Sequence, residues 1–191
     1  MTLILFRHGE TLWNKMKILT GFRDISMSQE GINQVKNACD RLKNYNFDVI
    51  FTSNQKRALE SCDIIEQQLN QKFKIIKTDA LKERNYGIFT GRSKEELEKL
   101  YTKNGLLQLK KSYHYQPVFG ESLSDVKIRS GNFYDCFIYP CLQQNKNVLL
   151  VSHSNTIRAL LVHLKIHDSK SIENIKIPNA FPMNPFEKLN F

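Results

Sequence analysis

The sequence predicts an α/β fold, a three-layer sandwich with a mostly parallel central sheet flanked by helices and a lid-like excursion around residues 80–120. Three observations predict it. Short runs rich in Leu, Ile, Val and Phe recur at 3–6, 48–52, 73–77 and 148–152, the pattern of buried strands. Helical spacing fills stretches between them, and strands alternating with helices imply a parallel sheet with helices on both faces. No internal repeat, low-complexity tract or linker interrupts the 191 residues. A single domain over 1–191 is therefore expected, a length that buries one good core.

Taken in order, the run at 3–6 is apolar and ends in Arg7, His8 and Gly9, so a first strand should deliver a cation and an imidazole to a turn. The helical pattern at 28–45 begins at Ser28, which matches a capping box only approximately, so a weak cap is expected. The run at 48–52 leads into a helix over 54–69, with Ala58, Leu59, Cys62, Ile65 and Leu69 on one face. After the run at 73–77 the rhythm breaks. One short helix at 93–101 is followed by "NGLLQLKKSYHYQPVFGES", and long irregular excursions of this kind often cover binding sites. The run at 148–152 opens a last helix over 155–164, where Ile157, Leu160, Leu161 and Leu164 share a face.

Composition narrows the function classes. Hydrophobic residues make up 41% and charged residues 25% of the chain, ordinary globular usage. No apolar run approaches a membrane span, and the N-terminus lacks the pattern of a secretory signal. Cys39, Cys62, Cys136 and Cys141 lack zinc spacing and read as reduced thiols of a cytoplasmic protein. The net charge of +9, from 28 Lys and Arg against 19 Asp and Glu, favours an anionic partner. Lysines scattered beside glutamates, as in "RSKEELEKLYTK", look like solvated helix faces. No basic stripe with interleaved aromatics appears, so neither nucleic acid nor membrane is the expected partner.

The strand ends carry the chemistry. The first ends in Arg7-His8-Gly9-Glu10-Thr11, the second carries Arg57 into the first turn of a helix, and the run near 150 places His153 before a helix that starts at Ser154-Asn155-Thr156. Ligands of open α/β sheets collect at the carboxyl ends of strands, and exposed N–H groups at a helix start favour an oxyanion. Two histidines and two arginines at neighbouring strand ends could therefore surround one phosphate. A non-catalytic binder on the same scaffold would be expected to lack a nucleophile, and this chain carries His8 at a strand end. His114, His163 and His167 read as structural or surface residues, and Trp13 as packing.

"RHGET" with Trp13-Asn14, then "LTGFRDISMSQEG", "TSNQKRA", "LKERNYGIFTG", "GESL" and "VSHSNTIRALL" follow one another in order. Together, from residue 2 to about residue 183, they resemble the cofactor-dependent phosphoglycerate mutases of the histidine phosphatase superfamily. The resemblance implies interconversion of 3-phosphoglycerate and 2-phosphoglycerate, in glycolysis and gluconeogenesis, with 2,3-bisphosphoglycerate as primer and no metal. It makes His8 the nucleophile, Glu83 the acid/base and His153 the transition-state stabiliser. Arg7, Gly9, Asn14, Arg57, Ser154 and Asn155 would bind phosphate or substrate, and Thr20, Gly21, Arg84, Tyr86, Lys94, Lys110 and Lys111 are the positions that mark a mutase. Small phosphorylated three-carbon acids are the implied partners, and a homodimer is compatible with the family. Acid and base duty would require Glu83 to be partly buried.

Three departures from the family pattern bear on the choice between mutase and phosphatase. Lys110 and Lys111 stand where the mutases carry two arginines, which keeps charge and loses the bidentate fork. Ser154 replaces a glycine, "HSN" for "HGN", and would crowd the backbone beside a phosphate. "IPNAFPM" replaces the "IPTG" type, and the longer mutases have a further tail over the site, so a more open pocket with some loss of phosphoryl to water is expected. The expectation remains a mutase, with hydrolysis of small phosphate esters as the alternative.

Overall fold

The computed structural model describes residues 1–100, 109 and 112–187. Its sheet contains β1 (Leu3–Arg7), β2 (Val49–Ser53), β3 (Lys74–Thr78), β4 (Val148–Ser152) and β5 (Pro182–Met183), in the order β3-β2-β4-β1-β5. The first four are mutually parallel, and β5 runs antiparallel to β1. Among the described residues the helices are α1 (Leu12–Lys15), α2 (Gln29–Leu42), α3 (Lys56–Leu69), α4 (Lys94–Leu100), α5 (Leu123–Phe133), α6 (Tyr139–Gln143) and α7 (Ser154–His163). A π turn, Tyr134–Ile138, joins α5 to α6. The three-layer expectation holds, and no described helix is long and apolar enough to cross a membrane.

Continuous apolar strands are what a sheet buried on both faces demands. Alternation sends Leu3, Leu5, Val49, Phe51, Val148 and Leu150 into one core with Val126 of α5 and Ile157, Leu160 and Leu161 of α7. Ile4, Phe6, Ile50, Leu149 and Val151 enter the other core, with Val35, Cys39 and Leu42 of α2 and Ala58, Cys62 and Ile65 of α3. Edge strand β3 exposes Lys74 and Lys77, a charge pattern that discourages pairing with another strand. Cys39 and Cys62 lie buried in the second core, and burial pushes their thiols up to about 11 and about 12. They are thus poor nucleophiles.

Several boundaries differ from the sequence reading. The helix expected over 28–45 stops at Leu42, and the one expected from 54 starts at Lys56, while β2 and β3 each lie one residue later than expected. Ser28 caps α2 through the Gly31 N–H at 3.1 Å. Unforeseen were α1, α5, α6 and β5. In α5, "LSDVKIRSGNF" hides its helix because Ser130 and Gly131 interrupt the apolar face. Gly131 is there for space, since an added Cβ would come within 2.5 Å of the His163 ring. β5 escapes notice as a two-residue edge strand containing Pro182, a residue type tolerated only at such edges.

The 80–120 excursion is tied back over the sheet ends. Leu19 N–H donates to the Arg92 carbonyl at 3.0 Å and Gly91 N–H to the Leu19 carbonyl at 2.9 Å, so the 17–21 loop is bonded to the segment that leads into α4. Behind β1, Arg7 donates to the Ile177 carbonyl at 2.7 Å, and Ala180 N–H to the Arg7 carbonyl at 2.9 Å. Ala180 adopts φ +49°, at the position where the resemblance expects glycine. A Cβ is disfavoured in that region by about 1–2 kcal/mol, partly offset by glycine's greater chain entropy. Ala180→Gly should therefore raise stability by up to about 1 kcal/mol, read as a higher denaturant midpoint. A lower midpoint would mean that the alanine methyl, which packs in the second core, matters more than the strain.

Candidate active site

β1 and β4 are neighbours with Arg7 opposite Ser152, so the residues that follow them meet. His8 N–H donates to the Ser152 carbonyl at 3.0 Å, and the His8 and His153 ring centroids lie 5.1 Å apart. The turn after His8 packs tightly on α2. A Cβ on Gly9 would collide with the Gly31 backbone, and one on Gly31 with that of Glu10. Both positions need glycine for space, which explains Gly9 without any contact to a ligand.

Hydrogen bonding settles the state of His8. Its Nδ1 donates to the Gly9 carbonyl at 2.6 Å, and Arg57 Nε donates to its Nε2 at 3.3 Å. Nε2 is thus the nitrogen with the lone pair. Burial, then the charges of Arg57 and Arg7, hold this imidazole's pKa well below its ordinary value. The ring is therefore neutral at physiological pH. His153 is fully buried and lowered for the same reasons, burial first and Arg57 next. Its Nε2 meets Ser53 Oγ at 2.7 Å. With that hydroxyl donating, Nδ1 keeps the ring proton, and Nδ1 is buried without a partner.

A cleft of about 420 Å³ opens over these groups. Of the expected residues, Arg7, His8, Asn14, Thr20, Gly21, Arg57, Glu83, Tyr86, Lys94, Ser154 and Asn155 line it. His153 lies beneath, on Ser53. Arg84 is elsewhere: its guanidinium donates to the Glu121 and Tyr115 carbonyls at 2.6 and 2.8 Å and sits over the Tyr86 ring. It ties the 115–121 segment to the chain before α4 and does not line the cleft. Lys110 and Lys111 lie outside the described residues.

Glu83 is 8% exposed. Its Oε1 accepts from the Arg84 N–H at 2.8 Å and the Asn155 N–H at 3.2 Å, which aims the carboxylate from two elements at once. Asn155 Oδ1 accepts from Arg158 at 3.1 Å, and its Nδ2 donates to the Tyr86 hydroxyl at 2.9 Å. That hydroxyl therefore has its own proton left for a ligand. Asn14 Oδ1 accepts from the Thr11 N–H in a capping box, leaving the amide's donors for the cleft. Gly21, at φ +51°, turns its carbonyl to Arg57 at 3.2 Å, and Arg57 also donates to the Arg23 carbonyl.

Sequence reasoning missed Lys17, Arg158 and Asn179 as lining residues. Arg158 follows Asn155 by three residues on α7, a spacing that puts both on one helix face. Asn179 donates to the His8 carbonyl at 2.9 Å, a contact 171 residues away in the chain that only the fold reveals. Arg7, Lys17, Arg57, Lys94 and Arg158 face the cleft against Glu10 and Glu83, an excess of positive charge suited to a polyanion. Among the described residues no group of His, Cys, Asp and Glu side chains gathers as a metal site.

The two low imidazoles make stability pH-dependent. A histidine neutral in the fold but protonated when unfolded contributes full stability above about pH 6.5, which is lost as pH falls below that value. The slope should reach about 1.4 kcal/mol per pH unit for each histidine. Denaturant unfolding from about pH 7.5 to about pH 5 should show this loss, with His153→Gln giving a shallower slope. Parallel curves for parent and variant would mean that His153 protonates inside the fold.

Comparison with known proteins gives one consistent family. The profile described as histidine phosphatase superfamily (branch 1) matches residues 3–181. A Cytophaga hutchinsonii protein named 2,3-bisphosphoglycerate-dependent phosphoglycerate mutase is 35% identical over 94% of this chain and 84% of its own. The mycobacterial glucosyl-3-phosphoglycerate phosphatase structure superposes with a TM-score of 0.82 at 23% identity, covering 93% of this chain and 89% of that one. An Entamoeba histolytica phosphoserine phosphatase, solved in complex with 3-phosphoglyceric acid, gives a TM-score of 0.76 at 25% identity, over 94% and 87% of the two chains.

Proposed function

The chain belongs to the histidine phosphatase superfamily (branch 1), and on that footing we propose that it is a 2,3-bisphosphoglycerate-dependent phosphoglycerate mutase working through a phosphohistidine at His8. The observation that carries the reading is His8 itself. Its Nε2 carries the lone pair of a neutral ring, with Arg57 Nε as its donor at 3.3 Å, at a cationic cleft that also holds a buried carboxylate. The curated relative's name supports the mutase branch.

The residues present fit a bisphosphate. Arg7 Nε, Thr20 Oγ1 and His153 Nδ1 are buried polar atoms without partners, donors that phosphoryl oxygens would satisfy. Two phosphates and a carboxylate carry about −4 to −5 charge near neutral pH, more than Arg7 and Arg57 would balance. Lys17, Lys94 and Arg158 supply the remainder. When bound, 2,3-bisphosphoglycerate supplies the phosphoryl group that charges the enzyme.

The chain's own residues do the following. His8 Nε2 forms a P–N bond as the bond to the departing substrate oxygen breaks. Glu83 gives that oxygen a proton, and later takes one from the hydroxyl that attacks the phosphohistidine. Arg7, Arg57 and His153 meet the charge on the transferring oxygens, where phosphoryl transfer gains most of its catalysis. Nδ1 of His8, donating to Gly9, keeps the ring from turning. The Tyr86 hydroxyl and Lys94 hold the glycerate end while the phosphoryl group waits.

A phosphatase reading has one feature in its favour: His8, His153, Arg7, Arg57 and Glu83 are all that hydrolysis needs. Incubation with 3-phosphoglycerate, with and without 2,3-bisphosphoglycerate, separates the two. The mutase forms 2-phosphoglycerate at a rate stimulated by the primer, whereas inorganic phosphate as the main product in both arms identifies a phosphatase.

A further inference from the structure

Gln55 occupies the N-cap of α3, a position whose side chain ordinarily accepts from its own helix. Here it makes no such bond. Its amide is 2% exposed and faces two other segments. Oε1 accepts from the Glu83 N–H at 2.8 Å, and Nε2 donates to the Gly21 carbonyl at 3.0 Å. The two segments abut, since a Cβ on Gly21 would lie 3.3 Å from the Tyr86 nitrogen and 3.5 Å from the Arg84 carbonyl oxygen.

We propose that Gln55 is a positioning residue for phosphoryl transfer, its one amide fixing the acid Glu83 relative to the Gly21 turn that holds Arg57. The proposal rests on the reading of Glu83 as the acid. The chemistry of the position calls for an amide: one buried backbone donor and one buried backbone acceptor must be met at once. Leucine meets neither, and glutamate accepts from Glu83 N–H but cannot donate to Gly21. The Gly21 carbonyl also has Arg57 as a donor, so losing the amide should loosen Glu83 more than the turn. Ser53 Oγ holds the Gln55 backbone N–H at 3.2 Å and His153 at 2.7 Å, so this same corner of the fold supports both the acid and His153.

An alkoxide leaving group needs a proton from Glu83, and p-nitrophenolate leaves unaided. Rapid-quench measurement of His8 phosphorylation should therefore use 2,3-bisphosphoglycerate and p-nitrophenyl phosphate as alternative donors. Gln55→Leu should slow transfer from the bisphosphate by about 10–10²-fold, the usual effect of a misplaced group, while the aryl donor changes by less than about threefold. Gln55→Glu, which keeps the bond to Glu83, should return the donor ratio to near that of the parent. If the leucine chain fails to fold, Gln55→Met is read in its place. Equal slowing of both donors, or a glutamate chain that restores nothing, would overturn the proposal. Glu83→Gln serves as the control: if it slows both donors alike, the acid assignment itself fails and the positioning role falls with it.

Discussion

A His8→Ala chain exposed briefly to 2,3-bisphosphoglycerate takes up no acid-labile phosphate, and its turnover of 3-phosphoglycerate falls by about 10⁴-fold or more, the scale seen when a nucleophile is removed. No described neighbour can replace it. The Nε2 lone pair of His153 is taken by Ser53 and its Nδ1 keeps the ring proton, so His153 can donate to a phosphoryl oxygen but has no lone pair with which to attack phosphorus. The variant also leaves Arg57 Nε without its acceptor, so its folding must be checked by the same denaturant midpoint used for Ala180→Gly. A folded His8→Ala chain that still labels would place the phosphoryl group on another residue.

Replacing Glu83 with glutamine should cost about 10²–10⁴-fold in transfer rate, or about 2.7–5.5 kcal/mol of barrier, with KM nearly unchanged. The reason is geometric. Glutamine keeps a carbonyl oxygen that can accept from the Arg84 and Asn155 N–H groups, so the fold and the cleft survive. What it lacks is a transferable proton. Both donation to the leaving oxygen and abstraction from the attacking one are lost, and the substrate's anionic groups still meet the same cations. A rate equal to the parent's would place the acid role on another carboxylate, with Glu10 lining the same cleft. A large rise in KM with kcat preserved would make Glu83 a binding residue only.

How much of this could be read from the chain depends on what kind of signal each feature leaves. The buried strands announce themselves because β1, β2 and β4 are packed on both faces and need unbroken apolar runs. Their carboxyl ends then locate His8 and His153 by a general rule of parallel sheets. Helix α5 leaves a weak signal, since Gly131 serves the His163 ring and not helix propensity, and β5 is short and begins with proline. In the site, residues on local motifs were legible and residues joined across the fold were not. Asn179 and Gln55 act through backbone groups distant in sequence, and a hydrogen-bonding side chain looks the same in sequence wherever its partner lies. Arg84 shows the converse: a charged residue inside a binding motif whose Nε and one terminal nitrogen donate to carbonyls of the excursion.

Retention of the phosphoryl group is the property on which the mutase account turns, and a label chase measures it. The enzyme is charged with 2,3-bisphosphoglycerate labelled in its phosphoryl groups, freed of excess donor, and mixed with unlabelled 3-phosphoglycerate. Label on His8 should pass to the glycerate faster than it appears as inorganic phosphate, and without acceptor the phosphohistidine should persist longer than a catalytic cycle. Label released as inorganic phosphate at the same rate with or without acceptor would contradict the mutase reading, and would make this site a phosphatase.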